Sequence, residues 1–132
     1  MGTTLHAIVE WFSPAAEFVL GDGTKERTLA IWCELGTWDF NKDYPLSIYL
    51  NENAENGWPL DSACAGDGDY RYHDERQQWC DVATLEAALV DLQAQKDEDG
   101  LPPHTLTLEA RIAALQVMQR GDVKLRVMWY RA

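Results

Sequence analysis

Between residues 4 and 12 apolar and polar positions alternate: Leu5, Ala7, Val9 and Trp11 fall on one side, His6, Ile8, Glu10 and Phe12 on the other. A period of two is that of a β-strand with one mostly apolar face. Residues 27–35 repeat the pattern, with Leu29, Ile31, Cys33 and Leu35 on the apolar side and Trp32 opposite. The turn-forming run Gly21-Asp22-Gly23-Thr24 lies between the two segments, so they are expected to pair as a hairpin. Ser13-Pro14-Ala15-Ala16-Glu17, in the same connection, allows a long loop or an irregular continuation of the strands. Alternation returns from Val123 to Arg131, with Val123, Leu125, Val127 and Trp129 inward and Lys124, Arg126 and Tyr130 outward.

A different period governs the stretch before that last strand. Val82, Leu85, Leu89 and Leu92 recur at intervals of three and four and predict an amphipathic helix over 84–96, capped by Asp81 or Thr84. Gly100 and Pro102-Pro103 end it. Leu108, Ile112, Leu115 and Met118 predict a second helix, capped by Thr105 or Thr107 and stopped at Gly121. Leu46 to Asn51 reads as a short helix with Pro45 in its first turn and Asp43 as a cap; a strand is the alternative, because Ile48 and Tyr49 suit either state. Trp38 to Pro45 reads as a loop leading into it. Residues 52–81, rich in Gly, Asn and Asp, read as one long irregular connection, of a length more common in functional loops than in plain connectors. The expected fold is α+β: residues 1–132 form a single domain, with a small antiparallel sheet, made of the N-terminal hairpin plus the C-terminal strand, and two helices packed on one of its faces.

Charge adds what periodicity omits. The chain has 22 acids against 11 Lys and Arg, a formal net charge of −11. That argues against direct binding to nucleic-acid phosphates or anionic membranes, both of which need a cationic surface. The imbalance is local. Residues 52–99 carry thirteen acids and three bases, a net of −10, whereas residues 100–132 carry two acids and five bases, a net of +3. Lys124, Arg126 and Arg131 on the terminal strand therefore oppose an acidic middle, whose charge can be answered within the chain, by a second copy in a homodimer, or by a basic partner. The segment also holds Trp58 and Trp79, and loop tryptophans beside acids are a common composition of interface hot spots. The competing reading of those rings is that they roof the core. The residues expected to meet a partner are Glu52, Glu55, Trp58, Asp61, Asp67, Asp69, Asp74, Glu75, Trp79, Glu86 and Asp91.

No catalytic signature stands out, and no enzyme, cofactor or metal is expected. Cys64, His73 and Cys80 lack the close Cys-x2-Cys pair of a zinc site. Asp67-Gly68-Asp69 starts like a calcium loop, but Arg71 takes a ligand position and Gln78 stands where a bidentate Glu belongs. His73 beside Asp74 or Glu75 has no nucleophile motif to serve, and Gly66-Asp67-Gly68 would repel a phosphate. The start of the chain has neither a secretory pattern nor a myristoylation motif, since His6 stands where Ser or Thr is needed. No run approaches a bilayer-spanning length. A cytoplasmic protein with Cys33, Cys64 and Cys80 as reduced thiols is expected.

Four runs carry a resemblance. Trp38 with Asp43-Tyr44-Pro45-Leu46-Ser47-Ile48, then Gly57-Trp58-Pro59-Leu60-Asp61, then Asp81 to Glu86, and finally Val123 to Tyr130, together resemble small uncharacterised acidic proteins of bacteria and their phages. The likeness spans about residues 28–132. It departs at Pro45 and in a poorer apolar run after Tyr44, and no catalytic residue is carried over. It implies a phage or prophage setting, in which small acidic proteins act against host defences. The expected function is a non-enzymatic inhibitor of anti-CRISPR or anti-restriction type, binding the basic surface of a host nucleic-acid-handling effector. An immunity protein neutralising a cognate toxin is the alternative.

Overall fold

The computed structural model describes residues 5–14, 17–27, 30–40, 44–64, 77–96, 99–101, 103–120 and 123–131. The fold is α+β. Strand β1 (Leu5–Ser13) is followed by the short strands β2 (Glu17–Val19) and β3 (Lys25–Arg27), then by β4 (Ile31–Phe40). Helix α1 (Tyr44–Asn53), strands β5 (Glu55–Asn56) and β6 (Gln77–Cys80), helices α2 (Val82–Ala94) and α3 (Leu106–Met118) and strand β7 (Leu125–Arg131) complete the chain. The main sheet has the order β4-β1-β7-β6-β5 and is antiparallel throughout, while β2 and β3 form a separate ribbon.

The hairpin expected from the first two patterns is present as β1 against β4, but it is longer than expected and carries the β2–β3 ribbon at its tip. The turn of that ribbon is tied by Asp22, whose Oδ1 accepts from the Thr24 backbone N–H at 2.9 Å and from the Thr24 hydroxyl. These bonds hold the Asp22 carboxyl below its usual range. Gly23 at the turn has φ +86°, a conformation that needs glycine. Trp38 to Phe40, read as loop from sequence, belongs to β4. The reason is a bulge: Val9 pairs with Gly36 but Glu10 pairs with Glu34, so Leu35 is the extra residue. It shifts the phase of the strand, leaves Leu35 exposed and lets pairing run on to Leu5↔Phe40.

All three helices lie on one face of the sheet. Leu46 and Leu50 of α1, Val82, Leu85, Ala88 and Leu92 of α2, and Leu108, Ile112 and Leu115 of α3 pack on Leu5, Ala7, Val9, Cys80, Leu125, Val127 and Trp129. The sheet is thus larger and the helices more numerous than the expected hairpin, terminal strand and two helices. The short element after Pro45 is the helix, not the strand. Helix α2 begins two residues before the predicted start, with Asp81 Oδ1 accepting from the Thr84 N–H at 2.9 Å. Thr105 occupies the N-cap of α3, its hydroxyl donating to Glu109 Oε2 at 3.1 Å.

Strands β5 and β6 are what the reading of 52–81 as irregular missed. They are two and four residues long, too short to show a period; β6 forms on the edge that β7 offers, and β5 adds to β6. Gln78 on β6 reaches the helix layer, where its Nε2 donates to the Asn51 carbonyl at 3.3 Å, near the end of α1, and to Asn56 Oδ1 at 3.1 Å.

Candidate functional site

The sheet face without helices is not the plain polar surface that its alternation suggests. Strand registry sets side chains in rows across it, because directly paired residues of antiparallel strands point to the same side. One row runs Glu55, Trp79, Met128, Ile8 and Thr37 from β5 to β4. The adjacent row runs Arg126, Glu10 and Glu34. Residues 57–64 cross over both as a strap.

The strap begins at Gly57, whose φ of +75° turns the chain and whose N–H donates to the Gln77 carbonyl at 2.8 Å. Trp58 then lies on the first row, its Nε1 donating to the Trp129 carbonyl at 3.1 Å. Cys64 closes the strap against Ile8 and Met128, and Trp58 and Trp79 pack around these three as a second apolar cluster. Over the second row, Ser62 Oγ donates to Glu10 Oε1 at 2.6 Å, and the Cys64 N–H donates back to Ser62 Oγ at 3.0 Å. Beneath the strap Arg126 Nε donates to Glu10 Oε2 at 2.9 Å, and Nη2 stands 2.9 Å from the same oxygen. Arg126 Nη1 donates to Asp61 Oδ1 at 3.0 Å. The flat side of the guanidinium covers Trp32, with Cζ 3.7 Å from the ring centroid. Glu10 is 0% exposed and Arg126 5%.

This clamp has a physical logic. Glu10 and Glu34 are paired across β1 and β4, an arrangement of like charges that is unfavourable by itself. Arg126 is paired with Glu10 from the other side and neutralises it, while Ser62 satisfies its second oxygen. A planar guanidinium suits this position because its fork meets Glu10 and Asp61 while its face stacks on an indole. At either end of the face lie further ring contacts: His6 stacks on Tyr130 at 4.9 Å, and Lys124 Nζ stands 5.7 Å from the Phe12 ring.

The residues expected to meet a partner fall into three groups. Glu52, at the end of α1, and Glu55, on β5, are exposed, and Glu55 is directly opposite the half-buried Trp79. Trp58 and Asp61 belong to the strap, so the strap, β5 and β6 bring Glu55, Trp58, Asp61 and Trp79 to one face. Asp61 keeps 67% of its side chain exposed although it is paired with Arg126, so part of the acidity of the middle segment is answered within the chain. Glu86 and Asp91 are on α2, across the sheet. Glu86 accepts from Gln116 Nε2 at 3.3 Å and Asp91 from Gln95 Nε2 at 2.8 Å. Asp67, Asp69, Asp74 and Glu75 lie outside the described residues, as do His73 and most of the calcium-like run. Trp58 and Trp79 roof a small core, as one of the two expectations for them has it, and both are partly exposed.

The clamp itself was missed. Its signal was present in the alternation, which sets Glu10 and Arg126 on the same face of their strands. Only pairing about Val9↔Val127 makes them neighbours. The cysteines are also separated by the fold. Cys64 lies in the strap cluster and Cys80 in the helix-side core, with the sheet between them, so a Cys64–Cys80 bridge or a zinc site shared by the two does not fit. None of the three cysteines forms a disulfide. Burial, reinforced by Asp81, pushes the Cys80 thiol far above its ordinary pKa and keeps it protonated. A small thiol reagent is therefore expected to label Cys33, the least buried of the three, first, and Cys80 only on unfolding. Peptide mass mapping over time checks this, and early labelling of Cys80 would contradict the packing.

No family model, curated protein or solved structure matches the chain. Among the described residues no group of three or more His, Cys, Asp and Glu is placed to hold a metal ion, and no helix is long and apolar enough to cross a membrane.

Proposed function

We propose that this protein is a non-enzymatic inhibitor, encoded by a phage or prophage, that occupies a basic surface of a host nucleic-acid-handling defence complex. The observation that carries the reading is the strap face. Carboxylates at Glu55 and Asp61 flank the partly buried Trp58 and Trp79, and the strap is pinned to the sheet by a buried ion pair. Imitation of a nucleic-acid backbone requires carboxylates held at fixed spacing, and a preorganised surface loses less entropy on binding. The net charge of −10 over residues 52–99 adds long-range attraction toward a cationic groove. The rings supply the apolar anchor that charge alone lacks.

Binding to purified CRISPR and restriction effectors, followed by surface plasmon resonance at increasing salt, tests the proposal. An inhibitor of this kind loses on-rate steeply as salt rises. The paired changes Glu52→Gln and Glu55→Gln are expected to weaken binding about tenfold, chiefly through the on-rate, while leaving the unfolding midpoint in place. Binding that is indifferent to both salt and these substitutions would rule out the acidic face. A chain that binds only a toxin encoded beside its gene would instead be an immunity protein.

A further inference from the structure

The two ends of the main sheet are unlike. Strand β5, at one end, is two residues long. Strand β4, at the other, is ten residues long and pairs with β1 along one edge only. Among the described residues no backbone group bonds to its outer edge. Such an edge presents a row of N–H and C=O groups to any extended chain, and proteins normally blunt it with Lys, Pro or short length. Ile31 to Phe40 contains neither Lys nor Pro and is rich in β-branched and aromatic residues, which favour strands. The bulge at Leu35 confines regular pairing to the runs on either side of it, 31–34 and 36–40.

The row of charges that reaches this edge is incomplete. It runs Arg126, Glu10, Glu34 from β7 to β4. Arg126 is committed to Glu10 and Asp61. Glu34 is exposed, and among the described residues its one partner is the Cys64 thiol, 3.8 Å from Oε2. The row thus ends on an acid with no counter-charge, and the next position belongs to whatever chain pairs with β4. An opposite charge directly across a strand pair is favourable, and a like charge is not. On the other face of β4, Ile31 is exposed and the half-buried Cys33 is paired with Trp11, which packs on the helix-side core. The run 31–34 therefore suits a segment that alternates a base toward the strap face with an apolar residue toward the helix face.

We propose that an extended basic segment of the partner protein adds to β4 as a sixth strand, with Lys or Arg opposite Glu34. This rests on reading the strap face as the surface that meets a basic partner. Cys64, at the end of the strap, bonds Glu34, so the edge continues that face. Charge disfavours a second copy. The charged residues of β4 are Glu34 and Asp39 alone, and the whole chain is at −11. The bases just ahead of the strand, Lys25 and Arg27 on β3, are set against Glu17 across the ribbon, and Lys42, just after it, lies outside the described residues. Pairing β4 with its own copy therefore brings Glu34 no cation from either strand.

Hydrogen exchange of the full chain, followed amide by amide by NMR, tests the proposal. The probe is a blocked peptide of about eight residues that alternates Lys and Val. The expected result is slowed exchange within β4 and unchanged exchange in β5 and β6. Exchanging the peptide's Lys for Glu, or N-methylating its amides, is expected to weaken binding at least about tenfold, the first by removing the charge match and the second the backbone pairing. Glu34→Gln is expected to weaken the Lys peptide about threefold, and Glu34→Lys to transfer the preference to the Glu peptide. The Gln variant alone serves if the Lys variant fails to fold. Absence of binding at millimolar peptide overturns the proposal, as does a peptide that binds without slowing β4 or binds equally well when N-methylated. Protection of β4 that grows with the concentration of the chain alone means that a second copy holds the edge, and also overturns it. An effector whose binding responds to Glu52→Gln with Glu55→Gln but leaves β4 exchange unchanged keeps the strap face as the contact and overturns only the added strand. One that protects β4 and ignores those substitutions does the reverse.

Discussion

Arg126→Met is expected to lower the unfolding free energy by about 3–5 kcal/mol, because it leaves Glu10 buried without a counter-charge. Met replaces the aliphatic stem of Arg but not the guanidinium, so the loss also includes its stack on Trp32. Asp61→Asn, at the exposed end of the same guanidinium, is expected to cost no more than about 1 kcal/mol, since solvent already screens that pair. A third variant separates charge from shape. Changing both partners, Glu10→Leu with Arg126→Met, removes the stranded carboxylate and is expected to recover most of the loss. Urea unfolding of the four proteins, read by tryptophan fluorescence, distinguishes these outcomes. If Arg126→Met were no worse than Asp61→Asn, the buried clamp would not be what holds the strap.

Trp129→Ala is expected to be as severe, at about 3–5 kcal/mol, because Trp129 is fully buried in the helix-side core. Trp129→Phe is expected to cost clearly less than the volume it removes would suggest. Among the described residues the Trp129 Nε1 has no hydrogen-bond partner, and a buried donor left unpaired costs about 1–3 kcal/mol. Phe deletes that donor while keeping an aromatic ring against the sheet. The backbone carbonyl of residue 129 still accepts from Trp58 in either variant, so the strap anchor at that point is untouched. Differential scanning calorimetry gives both values; a Trp129→Phe midpoint as low as that of Trp129→Ala would show that ring size alone matters at this position.

The two cases differ in how far they could be foreseen. Trp129 was legible as a core residue because strand period alone puts it with Leu125 and Val127, and one apolar stripe demands one buried face. Arg126 was legible only as an outward base on the last strand. Its burial follows from which strand lies beside β7, which residue of that strand falls opposite, and which loop closes over both. The candidate site shows the same division. The sequence marked 57–64 as part of an acidic, tryptophan-bearing connection, and Trp58, Asp61 and Trp79 as residues of interest. It could not show that Asp61 is tied to Arg126, nor that Glu86 and Asp91 stand across the sheet from the rest of the set. Those facts depend on contacts between residues far apart in the chain, of which local period carries no trace.

What the sequence determined by itself is what repeats locally: the alternation of the first, fourth and last long strands, the helical spacing of α2 and α3 with Asp81 and Thr105 at their starts, and the concentration of acid between residues 52 and 99. Each is decided within a few residues, by backbone geometry and by the need to bury one face. Only the tertiary structure decided the bulge at Leu35, the short strands β5 and β6, the helix-free face with its clamp, and the long outer edge of β4. A bulge, a two-residue strand or a buried ion pair is stable only against a particular neighbour, so its free energy resides in the pairing and not in either segment alone.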